Sequence, residues 1–264
     1  MSPFPKIITN YELPFTVLAQ PAPLLSDGGT VILSVEMQTT PSEKTVGALK
    51  IAMMHFSTLA ETGAMGGDTI PPWESTLKSY EGPRITGPGV EWTLAGCRLD
   101  ERALAVLVNL FLVVAEGAPL KKLEIKQAID PRPCVPLKSD PEWDAPYPPR
   151  WKQIPFDLDF YEEVMESVSI GAEFTKKLTK QEREDIENEL LSWAGPASEG
   201  AYAIAPVSPM EASMMPDFPI SIDDHSLDWS IEKCRADRGA LDGLVNVLVA
   251  IHKKIAPIRE VTIE

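Results

Sequence analysis

Residues 90–109 read VEWTLAGCRLDERALAVLVN, and residues 227–246 read LDWSIEKCRADRGALDGLVN. A shift of 137 positions places Trp92 on Trp229, Cys97 on Cys234, Arg98 on Arg235, Asp100 on Asp237 and Asn109 on Asn246. An internal repeat constrains the architecture ahead of any local reading, because each copy must form one structural unit. It also separates what both copies share from what one copy carries alone.

The match extends outward from this stretch. Upstream and without a gap, Val31, Leu33 and Glu36 fall on Val168, Ile170 and Glu173, and Phe56 falls on Trp193. Glu61-Thr62-Gly63-Ala64 falls on Ser198-Glu199-Gly200-Ala201. Downstream, one extra residue near Ile255 restores Ala118-Pro119 to Ala256-Pro257, and Leu123 and Ile125 to Val261 and Ile263. The first repeat therefore lies within 1–126 and the second within 153–264, each about 110 residues, an ordinary domain size. The stretch between them, 127–152, holds Pro131, Pro133, Pro136, Pro141, Pro146, Pro148 and Pro149. Such a run lacks backbone donors and favours extended conformations, so it predicts a semi-rigid acidic linker.

Hydrophobic spacing assigns the elements of one copy. In TVILSVEMQ, Val31, Leu33, Val35 and Met37 alternate with more polar neighbours, the period of a half-buried strand. Val168, Ile170, Ala172 and Phe174 repeat it. A helix over about 42–61 follows, and its mate over about 179–195 opens on Thr179 with Glu182 three residues later, a capping-box pattern. Gly63 and Gly200 end these helices. Short second strands are expected near 64–70 and 201–207. Third strands carry Val90, Trp92 and Leu94, or Leu227, Trp229 and Ile231. A second helix over 101–117 has Leu104, Leu107, Val108 and Phe111 at helical spacing, matched by Leu241, Leu244, Val245 and Leu248. Closing strands lie at Leu120–Lys126 and Ile258–Glu264. The order β-α-β-β-α-β predicts an α+β chain: a tandem of two ferredoxin-like plaits, each a four-stranded antiparallel sheet with its helices on one face. That fold hosts many functions and selects none.

Composition narrows the classes. The 264 residues are 44% hydrophobic and contain no apolar run long enough to span a membrane. MSPFPKIITNYELPF lacks the basic and apolar regions of a signal peptide. Three cysteines without paired spacing argue against a disulfide framework or a zinc site, so a cytoplasmic location is expected. The net charge of −15 is uneven. Residues 1–126 hold 10 Lys and Arg against 13 Asp and Glu, a net of −3, while 127–264 hold 14 against 26, a net of −12. Phosphates would be repelled by the second half, which disfavours nucleic acid, and a basic protein would be attracted.

No motif carries a catalytic signature. The Cys-Arg-x-Asp motifs at 97–100 and 234–237 occur in both copies and read as helix caps. Asn109 and Asn246, mid-helix among apolar residues, read as amides bonded across a core or interface. His55 is unrepeated, and His252 sits in the last turn of a helix, where a cation is welcome. Asp223-Asp224-His225 is the one local group that could form an acid/base or metal site, and it reads rather as a polar loop leading into the third strand. The outward residues of the sheets, Ser34, Glu36, Glu91 and Thr93 in one copy and Gly171, Glu173, Asp228, Ser230 and Glu232 in the other, are small and acidic, unlike an RNA-binding face.

These observations predict a non-catalytic acidic module, without cofactor or metal, that binds a basic protein such as a toxin or effector. It would act as an immunity or inhibitor protein, or as an adaptor or chaperone. The expected contacts are Trp143, Tyr147, Trp151 and Glu162 in the acidic segment, with Met214 and Met215 as apolar contacts. The alternatives are an enzyme or small-molecule sensor with a site between the copies, using Asp223, Asp224 and His225, and a homo-oligomeric structural subunit whose edge strands pair.

Overall fold

The computed structural model describes residues 7–20, 28–66, 70–98, 101–129, 132–140, 142, 147–160, 167–203, 211–233 and 238–264. The first half runs β1 (Ile7–Thr9), β2 (Thr16–Ala19), β3 (Gly29–Met37), α1 (Glu43–Thr62), β4 (Ser79–Thr86), β5 (Gly89–Cys97), α2 (Glu101–Gly117) and β6 (Leu120–Gln127). Two short strands, β7 (Val135–Pro136) and β8 (Lys138–Ser139), follow. The second half runs β9 (Asp157–Phe160), β10 (Ser167–Phe174), α3 (Lys180–Ser198), β11 (Met215–Pro216), β12 (Ser221–Ile222), β13 (Ser226–Glu232), α4 (Arg238–Lys254) and β14 (Ile258–Ile263). The chain is thus a mixed α+β protein, with four helices and two six-stranded sheets among the described residues.

The first sheet has the order β4-β5-β3-β6-β2-β7, and the second β11-β13-β10-β14-β9 with β12 also beside β13. In each, the strand before the first long helix lies in the centre, antiparallel to the strands before and after the second helix. An added strand, β2 or β9, runs parallel to the last one. Period two explains the burial. Val31, Leu33, Val35 and Met37 point inward with Val90, Trp92 and Leu94, and Val168, Ile170, Ala172 and Phe174 point inward with Leu227, Trp229 and Ile231. The helices cover these inner faces. Trp92 stacks on Phe111 of α2 at 6.0 Å, and the Trp193 indole of α3 donates to Ala240 O of α4 at 2.9 Å. Helix α1 also packs on α3 of the other half. The layers therefore run sheet, helices, helices, sheet, which explains why α2 and α4 are buried nearly all round.

Local chemistry sets the helix ends. Ser42 Oγ accepts from the Thr45 N–H at 3.2 Å to start α1. Thr179 and Glu182 form a complete capping box on α3, the Glu182 carboxylate accepting the Thr179 N–H at 2.8 Å. Hydrogen bonds from Lys176 and then Thr179 pull that carboxyl down to about 2. Gly63 ends α1 at φ 88°, and a Cβ there would lie 2.3 Å from Glu74 O, so only glycine fits.

Two expectations are corrected. The second strand of the first half is not at 64–70, whose described residues form a turn. It is β4, further along the chain, paired antiparallel to β5. Its counterpart in the second half is the short pair β11 and β12, since Ala201–Ala203 is not strand and 204–210 lie outside the described residues. Within the proline-rich stretch expected as a semi-rigid linker, β7 closes the edge of the first sheet against β2, and β8 pairs with β1. Finally, His252 is not a helix-end cation. Its Nδ1 accepts the Ile258 N–H at 3.0 Å, and burial lowers its pKa, so the neutral form is favoured.

Candidate protein-binding face

The outer face of the second sheet is bare of covering helices, and its register places acids abreast. Asp157 pairs with Glu260, and Glu260 with Glu173, so three carboxylates stand side by side across β9, β14 and β10. The next outward row holds Asp159, Thr262, Gly171 and Asp228, and Ser169 faces Ser230 beyond it. Glu232 ends β13 beside Met215 of β11. Neighbouring strands are ~5 Å apart, close enough for like charges to repel. Among the described residues, the cation in ion-pair contact with this face is Arg259, on Glu173. Asp157, Asp159, Asp228, Glu232 and Glu260 have no ion pair among the described residues. At the centre, a Cβ on Gly171 would meet nothing within 4 Å, so a partner can approach the backbone closely there. At one edge Met215 and Phe218 are 48% and 56% exposed, an apolar lip beside the acids.

The outer face of the first sheet differs. Glu36 lies between Lys121 Nζ at 2.6 Å and Lys122 Nζ at 3.7 Å, and Glu124 between Lys122 at 3.0 Å and Lys126 at 3.7 Å. The Lys121 hydrogen bond lowers the Glu36 pKa, and the Glu124 bond raises that of Lys122. Glu91 takes the Ser34 hydroxyl at 3.3 Å, with Arg84 opposite it in register.

The residues expected to bind a partner are scattered by the fold. Trp143 and Glu162 lie outside the described residues. Tyr147 is buried, accepting the Asn109 amide at 2.8 Å, donating to Ala203 O and meeting the Tyr202 ring edge-on. Trp151 is half-buried and edge-on to Trp73 at 5.8 Å. Met214 is buried, and of this set only Met215 joins the acidic face. Tyr147 is a core residue because it bridges Asn109 of one half and Ala203 of the other, and Met214 because its segment lies on the end of α3, its N–H on Ala197 O at 3.1 Å. Asp223, Asp224 and His225 form a turn, with the Asp223 N–H on Ser226 O at 2.9 Å. Asp224 pairs with Lys177 at 2.7 Å and Arg183 at 2.9 Å, and the Lys177 hydrogen bond lowers its pKa. This turn ties the start of α3 to β13. Among the described residues, no group of His, Cys, Asp or Glu could hold a metal ion.

The repeated asparagines join the halves reciprocally. Asn109 of α2 donates to Ala201 O at 2.8 Å and to Ala203 O at 3.1 Å, in the turn after α3, and accepts from Tyr11. Asn246 of α4 donates to Ala64 O at 3.2 Å, in the turn after α1, and to Pro149 O at 3.1 Å, and accepts the Trp151 N–H at 2.8 Å. Lys254 adds a third crossing, donating to Thr62 O at 3.0 Å at the carbonyl end of α1. Asp157, Asp159 and Glu260 complete the acidic face, although the local pattern had not singled them out. Their signal was the period-two DLDF of β9 and the replacement of Lys122 by Glu260 between repeats.

Comparison with known proteins adds no family. No family model matches the chain, and no curated protein matches it. Among solved structures, a DyP-type peroxidase from Cellulomonas bogoriensis aligns over 92% of this chain and 91% of its own at 11% identity and a TM-score of 0.20. A chlorite dismutase from Candidatus Nitrospira defluvii aligns over 88% and 86% at 14% identity and 0.17. DtpA from Streptomyces lividans aligns over 100% and 95% at 12% identity and 0.19. Likeness at this level supports no argument about this chain's chemistry. Among the described residues, no helix is long and apolar enough to cross a membrane.

Proposed function

We propose that this chain is a cytoplasmic, non-catalytic binding protein, built as a tandem of two ferredoxin-like plaits, that holds a basic protein on the outer face of its second sheet. Immunity proteins, inhibitors and adaptor-chaperones for a basic toxin or effector are the classes this fits. The observation that supports it is the row Asp157, Glu260 and Glu173, three carboxylates abreast with one arginine between them. Like charges placed directly opposite one another weaken a sheet. Retaining them costs stability that a cationic partner would return on binding, a usual trade between stability and function. The tandem-plait reading is supported by the shared strand order, β4-β5-β3-β6 beside β11-β13-β10-β14, and by the reciprocal asparagines.

The test is affinity capture from the native host with the intact chain and with an Asp228→Lys, Glu260→Lys double variant, each at low and high salt. A basic protein retained by the intact chain, released by salt and missed by the variant is the expected result. Equal recovery by both chains would remove the sheet face from the function.

A further inference from the structure

A second surface, on the side of the molecule where α1 meets α3, carries different chemistry. The helices come close there: a Cβ on Gly195 of α3 would sit 3.1 Å from the His55 imidazole of α1. Apolar side chains from both halves stand open beside this contact. Ile51 and Met54 on α1 are 49% and 47% exposed, and Leu191 on α3 is 38% exposed. Single exposed apolar residues are ordinary, but a group drawn from two helices at one seam marks an interaction surface.

Toward the end of α1 the seam opens into a groove of about 380 Å³, lined from one half by Thr58, Glu61 and Thr62 and from the other by Asp185, Asn188 and Glu189. Its charge is negative. Burial raises the Glu61 pKa. Glu189 Oε1 takes Lys254 at 3.4 Å, while Glu189 Oε2 is buried without a partner among the described residues. Glu61, Asp185 and the neighbouring Glu187 have no ion pair among the described residues. On α3, Glu184, Glu187, Asn188 and Leu191 follow i, i+3, i+4 spacing, so two acids, of which Glu184 is paired with Lys180 at 3.5 Å, lie along one stripe with the apolar contact.

We propose that this seam docks an amphipathic helix of another protein. Its apolar stripe would cover Ile51, Met54 and Leu191, and an arginine or lysine beside that stripe would enter the groove toward Glu61 and the free Glu189 oxygen. Helix-in-groove recognition uses this combination of apolar anchors and flanking charge complementarity. A second copy of this chain fits less well, because a two-fold contact across the seam would set the α3 acids against one another. The surface does not depend on the acidic sheet face.

The probe is a fluorescent synthetic leucine-arginine amphipathic helix, with a scrambled peptide of the same composition as control, titrated into the full chain by anisotropy. The helix is expected to bind at least roughly tenfold more tightly than the scramble, and Met54→Glu or Leu191→Glu to remove roughly tenfold of that affinity. Leu191→Ala, with an unchanged melting temperature, guards against misfolding. Asp228→Lys is expected to leave peptide binding unaltered. Equal binding of helix and scramble, or loss caused by Asp228→Lys alone, overturns the seam while leaving the sheet face standing. Loss at the seam with host capture unaffected by the sheet variants overturns the sheet face and not the seam. Conversion of a dimer to a monomer by Met54→Glu would give the surface to a second copy and overturn the proposal.

Discussion

The outer faces of the two sheets start from similar material and end with opposite electrostatics. Glu91 and Asp228 occupy the same repeat position, as do Glu36 and Glu173. On the first face Lys121, Lys122 and Lys126 of β6 thread between the acids and neutralise Glu36 and Glu124. On the second, β14 offers Arg259 alone and replaces Lys122 with Glu260. One strand thus decides whether an open sheet is a self-satisfied surface or a cation-seeking one. Sheet scaffolds tolerate either, because outward residues contribute little to the core.

The halves also share a buried junction, and the largest expected effects lie there. Asn109→Leu strands Ala201 O and the Tyr11 hydroxyl, and Asn246→Leu strands Ala64 O and the Trp151 N–H. Each should cost about 3 kcal/mol in urea unfolding, from two or more buried groups left unpaired. Closely matched losses would show that the asymmetry is confined to the surfaces, and a strongly unequal pair would break the comparison. Next, the Asp228→Lys, Glu260→Lys double variant should weaken a basic partner roughly 100-fold in low-salt calorimetry. Glu91→Lys on the first face should leave that affinity unchanged.

A smaller effect sharpens the contrast. Glu260→Lys alone gives the second face what Lys122 gives the first, and should stabilise the free protein by about 0.5 kcal/mol in thermal unfolding while weakening the partner. Lys122→Glu should do the reverse to stability. The smallest effect is pH-dependent. The folded pKa of Glu182 lies near 2, below its unfolded value, so its capping bonds stabilise above the unfolded pKa and that contribution fades as pH falls through the folded one. Glu182→Gln should therefore melt below the intact chain at pH 6 and converge with it toward pH 2. No such window is expected from the Ser42 hydroxyl that caps α1.

Most of the frame was legible because it rests on periodicity. α2 spans the 101–117 assigned by spacing, and β3 and β10 follow their alternating residues. β4 was not, because an edge strand needs ladder bonds on one side only, and SYEGPRIT is exposed along most of its length. The acidic face was half legible. Gly171, Glu173, Asp228, Ser230 and Glu232 could be placed outward from period two alone. That Asp157 stands beside Glu260 is a matter of pairing between distant segments, which no local pattern encodes. Tyr147 misled for a related reason: an aromatic in an acidic, proline-rich stretch looks like a surface anchor, and only the Asn109 amide across the junction makes it core.

The asparagine crossings set a timetable for synthesis. Asn109 leaves the ribosome well before Ala201 and Ala203, and at about 5–20 residues per second the gap is roughly 5–20 s. During that interval the face of α2 that carries Asn109 lacks the second half, with Ala105 and Val106 one turn from an amide whose carbonyl partners do not yet exist. A nascent first half is therefore a client for a holding chaperone, and slow codons within the second half would lengthen its exposure.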